Sequence, residues 1–108
     1  MQAQLAVLVI QRAMNESTYD ELHLEYKSLK AQHQEVLARR DEIHTQIRSR
    51  SQSKPERDQL RTRSHTLGEE AERLRAKILD CEATESVLTD EWEELGAKIK
   101  ETRKQLAG

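Results

Sequence analysis

Apolar residues in the second half of the chain recur with the seven-residue period of a coiled coil. One series has members seven residues apart, and a second series lies between them at alternating gaps of four and three residues. Strands do not produce this pattern, because their side chains repeat every two residues. The spacing predicts a long helix with one continuous apolar seam. The two series are Leu60, Leu67, Leu74, Cys81, Leu88, Leu95 and Thr102, and Ser64, Ala71, Ile78, Glu85, Trp92, Ile99 and Leu106.

The first half of the chain carries a weaker form of the same period. Arg12, Asn15 and Arg40 fall on seam positions and interrupt the apolar series. His33 also falls on the seam, where we expect a half-buried or exposed side chain without a functional role. The pattern predicts a first helix. Its two series are Leu8, Leu22, Leu29, Val36 and Ile43, and Leu5, Tyr19, Tyr26, His33 and Ile47.

A polar segment separates the two halves. No large apolar side chain occurs between Ile47 and Leu60, and Ser53 followed by Glu56 has the form of a helix-capping box. Pro55 would lie in the first helical turn, where its missing N–H costs little. A second helix is therefore expected to start near Lys54. The heptad phase also changes here, because Arg50 and Leu60 are ten residues apart, which is seven plus three. This change fits either a hairpin or one long helix with a local irregularity.

The sequence predicts an all-α fold, a long two-helix antiparallel coiled-coil hairpin, because proline, several serines and a helix-start signal coincide. The alternative is one long helix in a parallel coiled-coil dimer. We expect a single coiled-coil domain over 1–108, with helix 1 at about 3–49, a turn at about 50–53 and helix 2 at about 54–107. A hairpin of this kind brings Leu8 near Leu95, and Tyr19 near Glu85.

Composition excludes a compact globule. Hydrophobic residues make up 35% of the chain and charged residues another 35%, against about 45–50% and about 25% in ordinary globular domains. The four histidines have no metal-ligand spacing, and the single cysteine, Cys81, lies on the seam. Two helices form no deep pocket. We therefore expect no enzyme activity, no cofactor, no metal and no small-molecule substrate.

The run from Leu5 to Ile10 is apolar on every side of the predicted helix. It is too short to cross a membrane, which needs roughly 20 residues, and it lacks the form of a secretory signal. We expect a cytoplasmic protein, with a nuclear location also open. Because one neighbouring helix cannot cover this run, we expect a protein partner or a homo-oligomer. The expected interface comprises Leu5, Leu8, Ile10, Trp92, Leu95, Ile99 and Leu106.

Charge is distributed unevenly around a formal net charge of −2. Residues 39–63 carry eight basic and four acidic groups, whereas 67–96 carry three basic and ten acidic groups. The basic segment is either a solvated surface or a tip that binds the phosphates of RNA. Base stacking is not expected, since 27–91 contains no aromatic residue. The candidate nucleic-acid-binding residues are Arg39, Arg40, Arg48, Arg50, Lys54, Arg57 and Arg61.

The stretch from Leu22 to Leu88 resembles the coiled-coil arm of bacterial-type seryl-tRNA synthetases. The matching motifs are Ala38-Arg39-Arg40-Asp41 before the turn and Leu67-Gly68-Glu69-Glu70 after it, in the setting of the leucine repeat. The resemblance covers about 67 of the 108 residues. It implies a hairpin whose basic outer faces contact the extended variable arm of a tRNA. It implies no aminoacylation, because no counterpart of that family's catalytic domain is present.

Two functions follow from these patterns. The first is a non-catalytic coiled-coil module for protein–protein interaction, acting as a scaffold, tether or oligomerisation element. The alternative is a helical arm that binds RNA, such as tRNA, through its basic tip. Glu85, the one carboxylate on its seam series, is expected to be partly exposed or to accept a hydrogen bond from Tyr19, and to help fix the register.

Overall fold

Two long α-helices make up the computed structural model, which describes residues 2–49 and 52–108. Helix α1 spans Gln2–Arg48 and helix α2 spans Lys54–Ala107. The predicted all-α, two-helix hairpin is confirmed, and the alternative of one uninterrupted helix is wrong. Arg50 and Ser51, expected in the turn, lie outside the described residues.

The start of α2 is set by a reciprocal cap. The backbone N–H of Glu56 donates to the Ser53 hydroxyl, and the Ser53 N–H donates to the Glu56 carboxylate, both at 3.4 Å. These bonds satisfy two backbone donors that a helix start otherwise leaves open. Pro55 is the second residue of α2 and lacks a donor to satisfy. The capping box predicted from the sequence is therefore present.

One compact unit consists of 1–25 and 81–108. Within it the helices run antiparallel. The Asn15 amide donates to the Leu88 carbonyl at 3.1 Å, and the His23 imidazole lies 3.1 Å from the Glu85 carboxylate. Rising numbers in α1 thus pair with falling numbers in α2. Cys81 and Ile99 belong to the core of this unit.

The second unit spans 26–80 and is also an antiparallel helix pair. His44 Nε2 and the Ser64 hydroxyl are hydrogen-bonded at 2.7 Å. The Arg40 guanidinium packs over Gly68, with its Cζ atom 3.4 Å from the place of an added β-carbon. The core of this unit comprises Leu29, Val36, Ala71, Leu74 and Ile78.

The predicted seam is the buried surface of both helices. Every seam residue named from the sequence is buried or half-buried except Leu106, which is exposed near the end of α2. Asn15 and Ser64 are buried, so polar residues that interrupt the apolar series still lie in the interface. His33 is half-buried, in agreement with a seam position.

Tyr19 and Glu85, expected near each other, both contact His23. Glu85 pairs with His23, one turn further along α1 than Tyr19, and the Tyr19 ring stacks on His23 with centroids 5.8 Å apart. This offset of one turn follows from the direction of side chains, which point toward the N-terminus of their own helix. In an antiparallel pair, the residues whose side chains meet therefore have higher numbers than the residues whose backbones lie opposite each other. The expected partial exposure of Glu85 is confirmed.

Candidate association surface

Helix α1 presents two different faces in the unit formed by 1–25 and 81–108. The inner face carries the seam and packs on α2. The outer face carries a second set of apolar residues with gaps of four and three, from Ala3 through Val7 and Ile10 to Met14. We call Ala3, Ala6, Val7, Ile10, Ala13 and Met14 the outer stripe.

The outer stripe is exposed. Val7 is 52% exposed, Ile10 58% and Met14 65%. Its three alanines are exposed as well. The stripe ends where the same spacing reaches Ser17. It is thus a continuous apolar surface along about three turns of helix, not a set of scattered hydrophobic residues.

The stripe lies in a segment with almost no charge. Between Gln2 and Asn15 the only ionisable side chain is that of Arg12. Arg12 occupies a seam position and reaches across α2, where its Cζ atom lies 3.8 Å from the centroid of the Trp92 ring. This cation–π contact holds the one positive charge of the segment away from the outer stripe.

Trp92 and Gly96 make this position of Arg12 possible. The Trp92 indole N–H donates to the Glu16 carboxylate at 2.7 Å, which orients the ring. Gly96 has no side chain, and the Arg12 Nη2 atom lies only 2.8 Å from the place of an added β-carbon. The aliphatic part of Arg12 is therefore packed between the helices while its charge lies over an aromatic face.

The residues expected at the interface divide between the two faces. Ile10 lies on the outer stripe, and Leu106 is exposed near the end of α2. The remaining residues face the partner helix within the hairpin and are half-buried, apart from Ile99, which is buried. They are Leu5, Leu8, Trp92, Leu95 and Ile99.

Sequence reasoning missed Met14, and it included Val7 only as part of the apolar run from Leu5 to Ile10. Both belong to the outer stripe, and the signal that identifies them is a second heptad series running beside the first. Val9 is also exposed, at 42%, but it borders the inner seam and does not continue the stripe. The structure is needed to tell these roles apart, because it shows which series α2 covers.

The candidate RNA-binding residues are placed differently from one another. Arg39 is exposed and bonded to the Glu35 carboxylate at 2.6 Å, and Arg40 is half-buried over Gly68. The guanidinium of Arg39 is thus paired with a carboxylate, and that of Arg40 lies against α2. Arg50 lies outside the described residues. Four residues at the end of α1 and the start of α2 are exposed and make no ion pair with the described residues: Arg48, Lys54, Arg57 and Arg61.

The described residues contain no group of histidine, cysteine, aspartate or glutamate side chains arranged to hold a metal ion. Within 2–49 and 52–108, neither helix has a stretch that is both long and apolar enough to span a bilayer. Comparison with protein-family models, with curated proteins and with solved structures finds no match to this chain.

Proposed function

We propose that this chain is a non-catalytic coiled-coil module that acts by protein–protein association, as a scaffold, tether or oligomerisation element. The observation that carries the proposal is the outer stripe on α1. Three large apolar side chains, Val7, Ile10 and Met14, are each more than half exposed on one helical face. A helix that is apolar on both faces is typical of one that packs between two neighbours.

The energetics of this surface favour association. Full burial of an aliphatic side chain contributes about 1.5–3 kcal/mol, and roughly half of that remains available at Val7, Ile10 and Met14. Association would remove no charged group of the stripe from water, because Arg12 is already engaged with Trp92. The gain from burial is thus not offset by charge desolvation.

The test compares two doubly substituted chains. Val7→Ser with Ile10→Ser removes the large apolar side chains at the middle of the outer stripe. Leu79→Ser with Val87→Ser makes the same chemical change at equally exposed positions of α2, which are 54% and 55% exposed. Both variants should keep the helical circular dichroism of the parent, since neither pair lies on the seam.

Affinity enrichment with the parent and both variants measures association. We expect the stripe variant to lose specific protein partners, including other copies of the chain, and the α2 variant to keep them. Equal recovery of every partner by all three chains contradicts the proposal. Loss of the same partners by the α2 variant also contradicts it, because association would then follow general surface hydrophobicity.

The RNA-binding alternative is supported by the four exposed basic residues Arg48, Lys54, Arg57 and Arg61. Two of them lie in the first two turns of α2, where the helix dipole also favours phosphate. The resemblance to seryl-tRNA synthetase arms supports the same role. Contacts of this kind would be made to the nucleic-acid backbone, and affinity would fall steeply with salt.

A gel-shift titration with tRNA at low and high salt tests this alternative. Arg57→Ala with Arg61→Ala should weaken binding and reduce the salt dependence. Arg103→Ala with Lys104→Ala removes the same charge near the end of α2 and serves as the control. Absence of any shift at low salt, or equal weakening by both variants, removes the RNA-binding role.

A further inference from the structure

The outer stripe is self-complementary when two copies run in opposite directions. Its central line of residues, Ala3, Val7, Ile10 and Met14, has gaps of four, three and four residues, so the spacing is the same read from either end. A two-fold axis between Val7 and Ile10 sets Val7 against Ile10 of the second copy. The same axis sets Ala3 against Met14 of the second copy. Each layer then pairs a smaller side chain with a larger one, as close packing requires.

The residues on either side of the stripe support the same arrangement. Ala6 and Ala13 lie along one edge, and their small side chains permit close approach of two helices. Gln4 and Gln11 lie along the other edge, where amides donate and accept hydrogen bonds without carrying charge. In the antiparallel arrangement, the alanine edge faces the alanine edge of the second copy, and the glutamine edge faces its glutamine edge. Neither edge brings like charges together.

We propose that two copies of this chain associate through the outer stripes of their α1 helices, packed antiparallel about a two-fold axis. This inference rests on the proposed association function and names the partner as the chain itself. The stripe from Ala3 to Met14 is about 17 Å long at 1.5 Å per residue. With six residues on each copy, the contact is smaller than a standard stable interface of roughly 20–30 residues a side, so we expect a weak dimer that dissociates on dilution.

Sedimentation equilibrium of the purified full chain over a wide concentration range measures the dimer. The parent should dimerise, and Val7→Ser with Ile10→Ser should raise the dissociation constant at least about tenfold, since four apolar side chains leave the contact. Leu79→Ser with Val87→Ser should leave the dissociation constant unchanged. Unaltered helical circular dichroism of both variants excludes misfolding as the cause.

Disulfide cross-linking tests the direction of packing. In chains carrying Cys81→Ala, an equimolar mixture of the Ala3→Cys and Met14→Cys variants should form a mixed disulfide faster than either variant forms a disulfide with itself. Faster self-disulfides overturn the antiparallel arrangement.

The remaining outcomes separate the inference from the proposed function. A parent that is monomeric at every concentration overturns the dimer, while stripe-dependent recovery of a different protein would leave the association function standing. A dimer that the stripe variant does not weaken overturns the proposed interface. Recovery experiments that also show no dependence on the stripe then overturn the function as well.

Discussion

The Nη2 atom of Arg12 lies 2.8 Å from the point that a β-carbon on Gly96 would occupy. The same combination recurs in the other unit, where the Arg40 guanidinium lies over Gly68. In both places an arginine occupies a seam position of α1, and its Nε atom is buried without a hydrogen-bond partner among the described residues. At Gly96 the facing arginine leaves no room for a β-carbon, whereas at Gly68 an added β-carbon would make an ordinary contact with Arg40.

Gly68→Ala should stabilise the hairpin. Alanine is about 0.5–1 kcal/mol better than glycine inside a helix, and the nearest Arg40 atom lies 3.4 Å from the added β-carbon, a distance it can accommodate. Thermal unfolding followed by circular dichroism should show a higher melting temperature by several degrees, about 4–8 °C per kcal/mol in a chain of this size. A lower melting temperature would show that Arg40 cannot move without loss of packing.

Gly96→Ala should stabilise less than Gly68→Ala, or not at all. The added methyl group would overlap Arg12 and push its guanidinium off Trp92, which offsets the helix-propensity gain. In an Arg12→Ala background the same change should recover the full gain of about 0.5–1 kcal/mol. A double-mutant cycle measures the difference. The emission of Trp92, the one tryptophan, reports displacement of Arg12; equal gains in both backgrounds would contradict the contact.

Glu85→Leu should raise the melting temperature. The Glu85 side chain is only 16% exposed on the seam and contacts His23, whose side chain is 38% exposed and keeps access to water. Replacement by leucine removes the cost of a half-buried carboxylate and adds apolar burial. Glu93→Leu, at an exposed position of the same helix, serves as the control and should change stability little. Destabilisation by Glu85→Leu alone would show that the pair with His23 contributes more than its burial costs.

Ser53→Ala should destabilise α2 at its start. Loss of an N-cap hydroxyl costs about 0.5–2 kcal/mol, and the 3.4 Å length of both bonds places this cap at the lower end. Chemical denaturation gives the change in free energy of unfolding. Ser86→Ala, on the exposed face within α2, is the control and should be neutral or slightly stabilising. Equal effects of the two changes would argue against a capping role for Ser53.

Much of the fold is readable from residue spacing alone. The seam is a local pattern repeated over many heptads, and the capping box with Pro55 marks where α2 begins, so the two-helix hairpin follows without knowledge of distant contacts. Polar residues at seam positions, such as Asn15, do not disturb this prediction because the period around them is strong.

The outer stripe and the contacts beside it cannot be predicted from residue spacing alone. Val7 and Ile10 belong to a run that is apolar on all sides, and only the observed packing tells which side α2 covers. The pairing of Glu85 with His23 depends on the lean of side chains between helices, which is not visible in a heptad pattern. The role of Gly96 depends on how far Arg12 reaches across the interface.

Cys81 lies on the α2 seam and is only 7% exposed. A thiol reagent in solvent gains full access to its sulfur only when the two helices separate locally or the chain unfolds. The alkylation rate of this cysteine therefore measures how often the helix pair opens locally. If self-association stabilises the closed pair, the rate should fall as the protein concentration rises, and the measurement needs no engineered cysteine.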